Sequence, residues 1–298
     1  MSKRTSIACY NLIINKLRKA PASFAEINDH LERESDIQGE DLVLSMRTFQ
    51  RYVVEISSLY NIEIEYNFSD RKYHIVEDQI DEASTRMLEA FDIYNTLNLR
   101  EDLGQYIQFE KRRAQGAEHF YGLLHAIKNK ALVELHYQKF WDEHPTKRII
   151  KPMTLKEFKG RWYLLAKGEK EDGIKTFGLD RIKDFTVLKK KFTDNDLKSI
   201  QANFQHCFGI ICPAEVKPEK IVLSFNSGQG HYIKTFPLHA SQKITKDDES
   251  EFRIELYLKV THDFVSELLS YGNDLSIIGP ASLKKEMRRI FAEGVRNN

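Results

Sequence analysis

Apolar residues recur at helical spacing in three stretches near the start of the chain. The first stretch predicts a helix over residues 6–19. Ser23 and Glu26 have the spacing of a capping box, which marks the start of a second helix, and an acidic loop over residues 35–41 is predicted to follow it. The third stretch predicts a helix that begins near Ser45.

Two short runs of alternating apolar and polar residues, 62–66 and 72–76, follow the third helix. The residues between them, 67–71, are mostly turn formers, and this combination is typical of a β-hairpin. Three helices followed by a hairpin predict a winged helix-turn-helix domain over residues 1–80.

A helical pattern continues over residues 82–113, with an apolar stripe that includes Met87, Phe91 and Tyr94. One interpretation of the stripe is packing of a linker helix, and the other is a contact between two copies of the chain. We assign residues 81–116 to a linker and dimerisation segment and expect a homodimer.

A further helix is predicted over residues 117–129. Five strand-like segments follow it, at residues 131–137, 148–155, 161–167, 174–179 and 182–188. The strands are short and are joined by tight turns such as Lys159-Gly160, which favours a small antiparallel barrel over residues 117–195.

The last part of the chain mixes both kinds of pattern. Strands are predicted at residues 220–225 and 252–260, and helices at residues 264–271 and 282–292. These elements predict a small α+β domain over residues 215–298. The chain as a whole is therefore expected to be a multidomain α+β protein.

Length and composition agree with this division into domains. A chain of 298 residues is long for one domain, and 41% hydrophobic and 30% charged residues are ordinary for a soluble globular protein. The formal net charge of +1 is close to zero and does not point to any particular class of binding partner. Residues 147–191, however, hold fourteen Lys and Arg and six Asp and Glu, which gives a net charge of +8. Residues 1–78 hold ten Lys and Arg and thirteen Asp and Glu, which gives a net charge of −3. We expect the basic segment to attract polyanions.

Several classes of protein are disfavoured. Cys9, Cys207 and Cys212 are an odd number without paired zinc-ligand spacing, which indicates a reduced, cytoplasmic protein. No segment reaches the roughly 18 consecutive apolar residues of a membrane span, and polar residues interrupt the N-terminus where a signal peptide would have its apolar core. The motifs H-E-x-x-H and G-x-S-x-G and a phosphate-binding glycine loop do not occur, so we expect neither an enzyme nor a cofactor or metal.

The third helix has the residue types of a DNA-reading helix. Its candidate DNA contacts are Ser45, Arg47, Thr48, Gln50 and Arg51, joined by Arg71 and Lys72 in the wing. Arginine pairs with guanine or phosphate, glutamine with adenine, and hydroxyls near a helix N-terminus with phosphate. The acidic balance of residues 1–78 favours the alternative, a solvated helix in a protein–protein module. We predict binding to double-stranded operator DNA.

A second candidate site lies around Trp162-Tyr163, inside the basic segment. Adjacent residues of a strand face opposite sides of a sheet, so one of these rings belongs to the core and only the other is free to contact a ligand. We place Trp162 in the core and Tyr163 at the surface. Asp180-Arg181 belongs either to the same site or to an ion pair at a turn.

The residues around this site resemble the signature of a known family. Residues 161–164, Arg-Trp-Tyr-Leu, followed by residues 179–182, Leu-Asp-Arg-Ile, are similar to the WYL domain, which is named for its tripeptide. Residues 236–242 and the later Tyr271-Gly272 are similar to the WCX domain that accompanies it in bacterial transcriptional regulators.

The resemblance implies a fold, a site and a function. The fold would be an Sm-like or SH3-like barrel within a DNA-binding homodimer, and the barrel would sense a single-stranded nucleic acid or a nucleotide. The implied ligand site comprises Tyr137, Arg148, Lys156, Tyr163, Lys175 and Arg181. The chain departs from the family at Lys175, where arginine with its planar bidentate group is common, and at Gly178, where a larger side chain is common.

The sequence therefore predicts a ligand-responsive, DNA-binding transcriptional regulator without membrane segments. One alternative is an accessory protein of a DNA-repair or phage-defence system, which would bind single strands through its barrel. Another is an enzyme that acts on nucleotides.

Overall fold

The computed structural model describes residues 3–78, 85–86, 89–90, 108, 116–171, 173–193 and 197–297. The chain divides into two compact units, residues 1–110 and residues 111–298. The helix predicted over residues 82–113, with its dimer contact, lies almost entirely outside the described residues.

The first unit is a winged helix-turn-helix, as predicted. Its described residues include helices α1 (Lys3–Lys19), α2 (Phe24–Gln38) and α3 (Met46–Tyr60), and a hairpin of strands β1 (Ile62–Asn67) and β2 (Lys72–Asp78). The capping box is confirmed, because the Ser23 hydroxyl accepts from the Glu26 amide and the Glu26 carboxylate accepts from the Ser23 amide. The predicted loop over residues 35–41 is wrong at its start, since α2 continues to Gln38 and ends where Gly39 takes a left-handed conformation at φ 70°.

One apolar core joins the elements of this unit. The helices and β1 supply fully buried side chains, among them Ile13, Leu31 and Phe49. The hairpin is also tied to the α1–α2 connection by a pair of backbone hydrogen bonds between Ala22 and Tyr73. The apolar side of α3 is thus buried, which leaves its opposite side for a partner.

The second unit begins with a barrel-like domain, also as predicted. A 3₁₀ turn (Ala117–His119) and helix α4 (Phe120–Lys128) precede strands β3 (Ala131–Tyr137), β4 (Thr146–Phe158), β5 (Arg161–Gly168), β6 (Ile174–Gly178) and β7 (Ile182–Lys191). Neighbouring strands are antiparallel in the order β6-β5-β4-β3-β7, and a second 3₁₀ turn (Leu179–Arg181) separates β6 from β7. The tight turn is confirmed, with Lys159 and Gly160 at positive φ angles of 48° and 72°.

Both faces of this sheet are covered. The inner face packs Leu135, Leu164 and Phe177 against α4. The outer face packs Leu165 against Ile200 of a helix that the sequence pattern did not predict, α5 (Leu197–Phe204). Strand β5 is consequently buried on its two sides over most of its length.

The C-terminal domain is a four-stranded antiparallel sheet with helices. Its elements are β8 (Glu219–Phe225), α6 (Ser227–Thr235), β9 (Lys243–Asp247), β10 (Phe252–Leu258), α7 (His262–Leu269), β11 (Leu275–Gly279) and α8 (Ala281–Asn297), with strand order β11-β8-β10-β9. The predicted α+β class is confirmed, but α6, β9 and β11 are missing from the prediction. Helix α6 has two glycines, which lower helix propensity, and it forms because Asn226 caps it and Gly230 packs closely on Phe252.

A short segment, residues 205–213, joins the two domains of the second unit and contacts both; we call it the joint segment. The Phe208 ring meets Phe158 of β4 edge-on at 5.8 Å and lies 5.6 Å from Phe264 of α7. The Thr176 hydroxyl of β6 donates to the Ile210 carbonyl at 3.2 Å. The barrel and the C-terminal domain therefore share a packed, hydrogen-bonded contact.

The close approach of α6 to β10 generates a prediction about stability. A Cβ atom added at Gly230 would lie 2.4 Å from the Cβ of Phe252. We expect Gly230→Ala to lower the midpoint of thermal unfolding, with a cost of about 1–3 kcal/mol from overpacking. Gly228→Ala is the matched control, because its nearest neighbour would be 3.4 Å away. An equal loss in both variants would contradict the packing account.

Candidate functional site

The exposed side of α3 presents most of the residues predicted to read DNA. Arg47, Gln50, Arg51 and Val54 are exposed at the spacing of one helical face. Their positions follow from the burial of the opposite face, where Phe49, Tyr52 and Ile56 are fully buried. Val54, 68% exposed, extends this face and was absent from the predicted set. An exposed valine among polar side chains would suit contact with a thymine methyl group.

The remaining DNA-binding candidates differ in how far their side chains are already engaged by contacts within the protein. The Ser45 side chain caps α3 by accepting from the Thr48 amide at 3.2 Å, and the two hydroxyls lie 2.9 Å apart. Arg71 is exposed at the turn of the hairpin, with φ at 57°. The Lys72 ammonium lies 3.7 Å from the Glu26 carboxylate at the start of α2. Arg71 is thus more available to a partner than Lys72.

Two predicted ligand residues, Arg148 and Lys175, line one cavity of about 440 Å³ in the barrel. Each lies two residues before a buried inner-face residue of its own strand, Ile150 on β4 and Phe177 on β6, so strand alternation turns it to the inner side. The Arg148 Nε donates to the Thr146 hydroxyl at 3.2 Å. Ile150 and Phe177 give the cavity apolar walls, and its charged lining includes Glu169 and Glu171 as well as the cations. The Glu171 carboxylate pairs with the Lys175 ammonium, so a ligand phosphate would have to compete with it.

The other two predicted ligand residues near Phe177 are Tyr137, which contacts its ring, and Arg181, which contacts Tyr137. The Tyr137 ring meets Phe177 edge-on at 5.0 Å, and its hydroxyl accepts from the Gly178 amide at 3.2 Å. The Arg181 guanidinium lies 5.7 Å from the centre of the Tyr137 ring and 4.9 Å from that of Phe140. This is cation–π geometry on two rings. Burial raises the pKa of the Tyr137 hydroxyl above its ordinary value.

The glycine that departs from the family pattern makes room for this arginine. A Cβ atom at Gly178 would lie 2.3 Å from Arg181 Nη2 and 2.4 Å from Asp180 Oδ1. The Asp180 carboxylate accepts from Arg181 Nε at 3.3 Å and is 3.5 Å from Arg161 Nη1. The absence of a side chain at Gly178 therefore allows the guanidinium to remain between its rings and its carboxylate.

These residues adjoin one another through Phe177, and we call the group the mouth site; its three cations are partly or fully exposed, whereas the Tyr137 and Phe177 rings are buried. It comprises Tyr137, Arg148, Lys175, Phe177 and Arg181. Next to it, on the connection from β3 to β4, Phe140 is 66% exposed and Trp141 is 90% exposed. The sequence prediction missed both, although two adjacent aromatic residues in a polar loop were a visible signal.

The structure separates Lys156 and Tyr163 from the mouth site. They pair across β4 and β5 on the outer face of the sheet, which α5 and the joint segment cover. Tyr163 is only 8% exposed, and the Lys156 ammonium lies 5.8 Å from the centre of the Phe204 ring. The placement of Tyr163 at the surface is therefore wrong. Trp162 is on the inner face as predicted, where it meets Phe120 edge-on at 4.8 Å.

Within the described ranges, no group of three or more His, Cys, Asp or Glu side chains is placed to hold a metal ion. Among the helices that the structure describes, none has both the length and the apolar character needed to cross a bilayer.

Comparisons with solved structures give distant likenesses. Proteasome accessory factor B/C of Arthrobacter aurescens is 20% identical over 96% of this chain and 46% of its own, with a TM-score of 0.37, so this chain spans about half of its length. A CRISPR Cas-related protein is 14% identical over 99% of this chain and 85% of its own, with a TM-score of 0.40. Both scores are too low to bear on function. No curated protein sequence matches the chain significantly.

Family models identify the two domains of the second unit. The WYL domain model matches residues 118–187, which hold the barrel and the whole mouth site. The WCX domain model matches residues 217–294, which hold the four-stranded sheet and its helices. The chain therefore contains a WYL domain followed by a WCX domain, with a winged helix-turn-helix before them in the sequence.

Proposed function

We propose that the chain is a transcriptional regulator that binds operator DNA through α3 and a single-stranded nucleic acid or nucleotide at the mouth site. The observation that supports the ligand most strongly is the placement of the three cations of the mouth site next to the exposed rings of Phe140 and Trp141, the first of which contacts Arg181. Such a surface offers charge to phosphates and ring faces to bases, and stacking contributes about 1–3 kcal/mol per base.

The exposed face of α3 supports the DNA half of the proposal. Two arginines and a glutamine on one side of a helix, after a capped N-terminus, match the chemistry of major-groove reading. The Arg51 guanidinium is 3.7 Å from Glu55, but both side chains are largely exposed, so this ion pair is weak enough for DNA to replace. We also propose a homodimer, which would present two copies of α3 to a two-fold symmetric operator.

Regulation requires that the ligand and the operator influence each other. A ligand shifts the equilibrium between two protein states only by the difference in its affinity for them. The coupling is reciprocal, so an oligonucleotide that alters operator affinity must itself bind differently when the operator is present. The proposal covers either direction, activation or release.

The separation of Lys175 from Lys156 gives a matched test of the ligand site. Lys175 lines the cavity, whereas Lys156 lies on the covered outer face. We expect Lys175→Ala to weaken binding of a fluorescein-labelled single-stranded DNA oligonucleotide about tenfold, equivalent to roughly 1.4 kcal/mol for one charged contact. Lys156→Ala should bind like the parent chain. Fluorescence anisotropy measures both, and equal effects of the two substitutions would place the ligand elsewhere.

The exposed arginines of α3 give the test of DNA reading. We expect Arg47→Ala and Arg51→Ala each to weaken binding to a duplex that the parent protein selects from a random library, by about tenfold where the contact is bidentate to guanine. Arg289→Ala, which removes the same charge from α8, is the control. Both α3 variants should keep parental affinity for the single-stranded oligonucleotide.

The outcomes of these two experiments separate the candidate functions. Oligonucleotide binding at the mouth site without any selected duplex would favour the single-strand-binding accessory protein. Duplex affinity that is unchanged in both α3 variants would contradict the reading-helix assignment.

A further inference from the structure

Two cysteines of the second unit lie together in the joint segment. Cys207 and Cys212 begin and end the sequence Cys-Phe-Gly-Ile-Ile-Cys. Both thiols donate to one acceptor, the backbone carbonyl of Asn203, at S···O distances of 3.5 Å and 3.6 Å. Although the sequence spacing alone indicates nothing specific, the fold makes the two sulfur atoms neighbours.

A buried lysine accompanies the pair. Lys259, only 5% exposed, places its ammonium 2.8 Å from the Pro213 carbonyl and 3.7 Å from the Cys212 sulfur. A thiolate is the form of cysteine that reacts with oxidants, and a neighbouring cation stabilises negative charge on sulfur. Burial raises the pKa of the Cys207 thiol to about 12, whereas Cys212 is partly exposed. Cys212 is therefore the thiol that an oxidant reaches first.

The residues between the two cysteines connect the WYL and WCX domains. The Ile210 and Ile211 amides donate to one oxygen of Asp263 in α7, at 2.8 Å and 2.9 Å. The Ile210 carbonyl accepts from the Thr176 hydroxyl of β6. The two neighbours of Thr176 in sequence, Lys175 and Phe177, belong to the mouth site. A covalent bond across this loop would act on the contact between the two domains.

We propose that Cys207 and Cys212 form a reversible disulfide when the protein meets a hydroperoxide. In the first step the Cys212 sulfur attacks a peroxide oxygen, so that hydrogen peroxide yields water and a sulfenic acid on Cys212. The Cys207 thiol then attacks that sulfur, a second water leaves, and the S–S bond forms. Two thiols lose two hydrogen atoms and one peroxide becomes two water molecules. A dithiol reductant reverses the change.

The test uses the full-length protein and hydrogen peroxide, followed by alkylation with N-ethylmaleimide under denaturing conditions. The reduced chain has three free thiols. We expect the oxidised chain to retain one reactive thiol, that of Cys9, which is buried in the first unit. The mass before alkylation should fall by two hydrogen atoms, and peptide mapping should show Cys207 linked to Cys212. Dithiothreitol should restore the starting mass and all three thiols.

Cys212→Ser is the matched control and should show no linked peptide within the chain after the same treatment. Three outcomes would overturn the proposal: three alkylated thiols after oxidation, oxygen added to Cys212 without a linked peptide, or disulfides only between chains. None of these results would bear on the mouth site, so the redox proposal fails or stands independently of the proposed function.

A second measurement tests whether the bond forms without displacing the joint segment. Because both thiols already contact one carbonyl, the disulfide should restrict the loop where it lies. We expect the Ile210 and Ile211 amides to exchange with deuterium severalfold more slowly in the oxidised chain, and peroxide to leave their exchange unchanged in Cys212→Ser. Faster exchange would mean that the bond breaks the contacts to Asp263 and would contradict the geometry.

Discussion

Burial of β5 on both faces limits where a ligand can reach the WYL barrel. Its inner side chains pack with α4 in the barrel core, and its outer side chains pack with α5. Of the Trp-Tyr pair, neither ring is therefore a free platform for a base. What remains is the inner surface at the ends of β3, β4 and β6, where strand alternation brings cations to the edge of the core. The signature tripeptide builds the domain, and the neighbouring basic residues form the candidate site.

The mouth site gathers its charge by two different means. Arg148 and Lys175 are placed by alternation with buried residues on their strands. Arg181 is placed by its surroundings, because Gly178 leaves space for the guanidinium and two aromatic rings flank it. A lysine at position 175 keeps the positive charge but offers no planar fork, which suits a phosphate oxygen better than a bidentate contact.

Strand β6 links this site to the joint segment because its alternate side chains face opposite sides of the sheet. Lys175 and Phe177 face the cavity, and Thr176 between them faces the opposite way and bonds the Ile210 carbonyl. A ligand that draws Lys175 inward would therefore act on a strand that is also bonded to the contact between the WYL and WCX domains. Strand β6 is therefore a direct structural connection between the mouth site and the joint segment, which contacts the WCX domain.

Local patterns in the sequence predicted much of this fold, and distant contacts explain what they missed. Helical spacing, the capping box and the turn at Lys159-Gly160 are local signals, and the elements they predicted within the described ranges are present. The alternation of side chains along a strand correctly placed Trp162 and Tyr163 on opposite faces of the sheet. It could not show that α5 covers the outer face. Helix α6 was not predicted because its two glycines lower its helix propensity, and its stability comes from packing on Phe252. The mouth site needed the folded sheet, since its members come from three strands and a 3₁₀ turn.

The proposed ligand of the mouth site is a single-stranded nucleic acid. Photocrosslinking can locate it, with a single-stranded oligonucleotide that contains 5-bromouracil and is irradiated in complex with the full-length protein. Mass spectrometry of the digested complex should find crosslinks within residues 137–148 and 174–181, which hold the mouth site and the exposed Phe140 and Trp141. Crosslinks confined to residues 156–163 or to the joint segment would contradict the account.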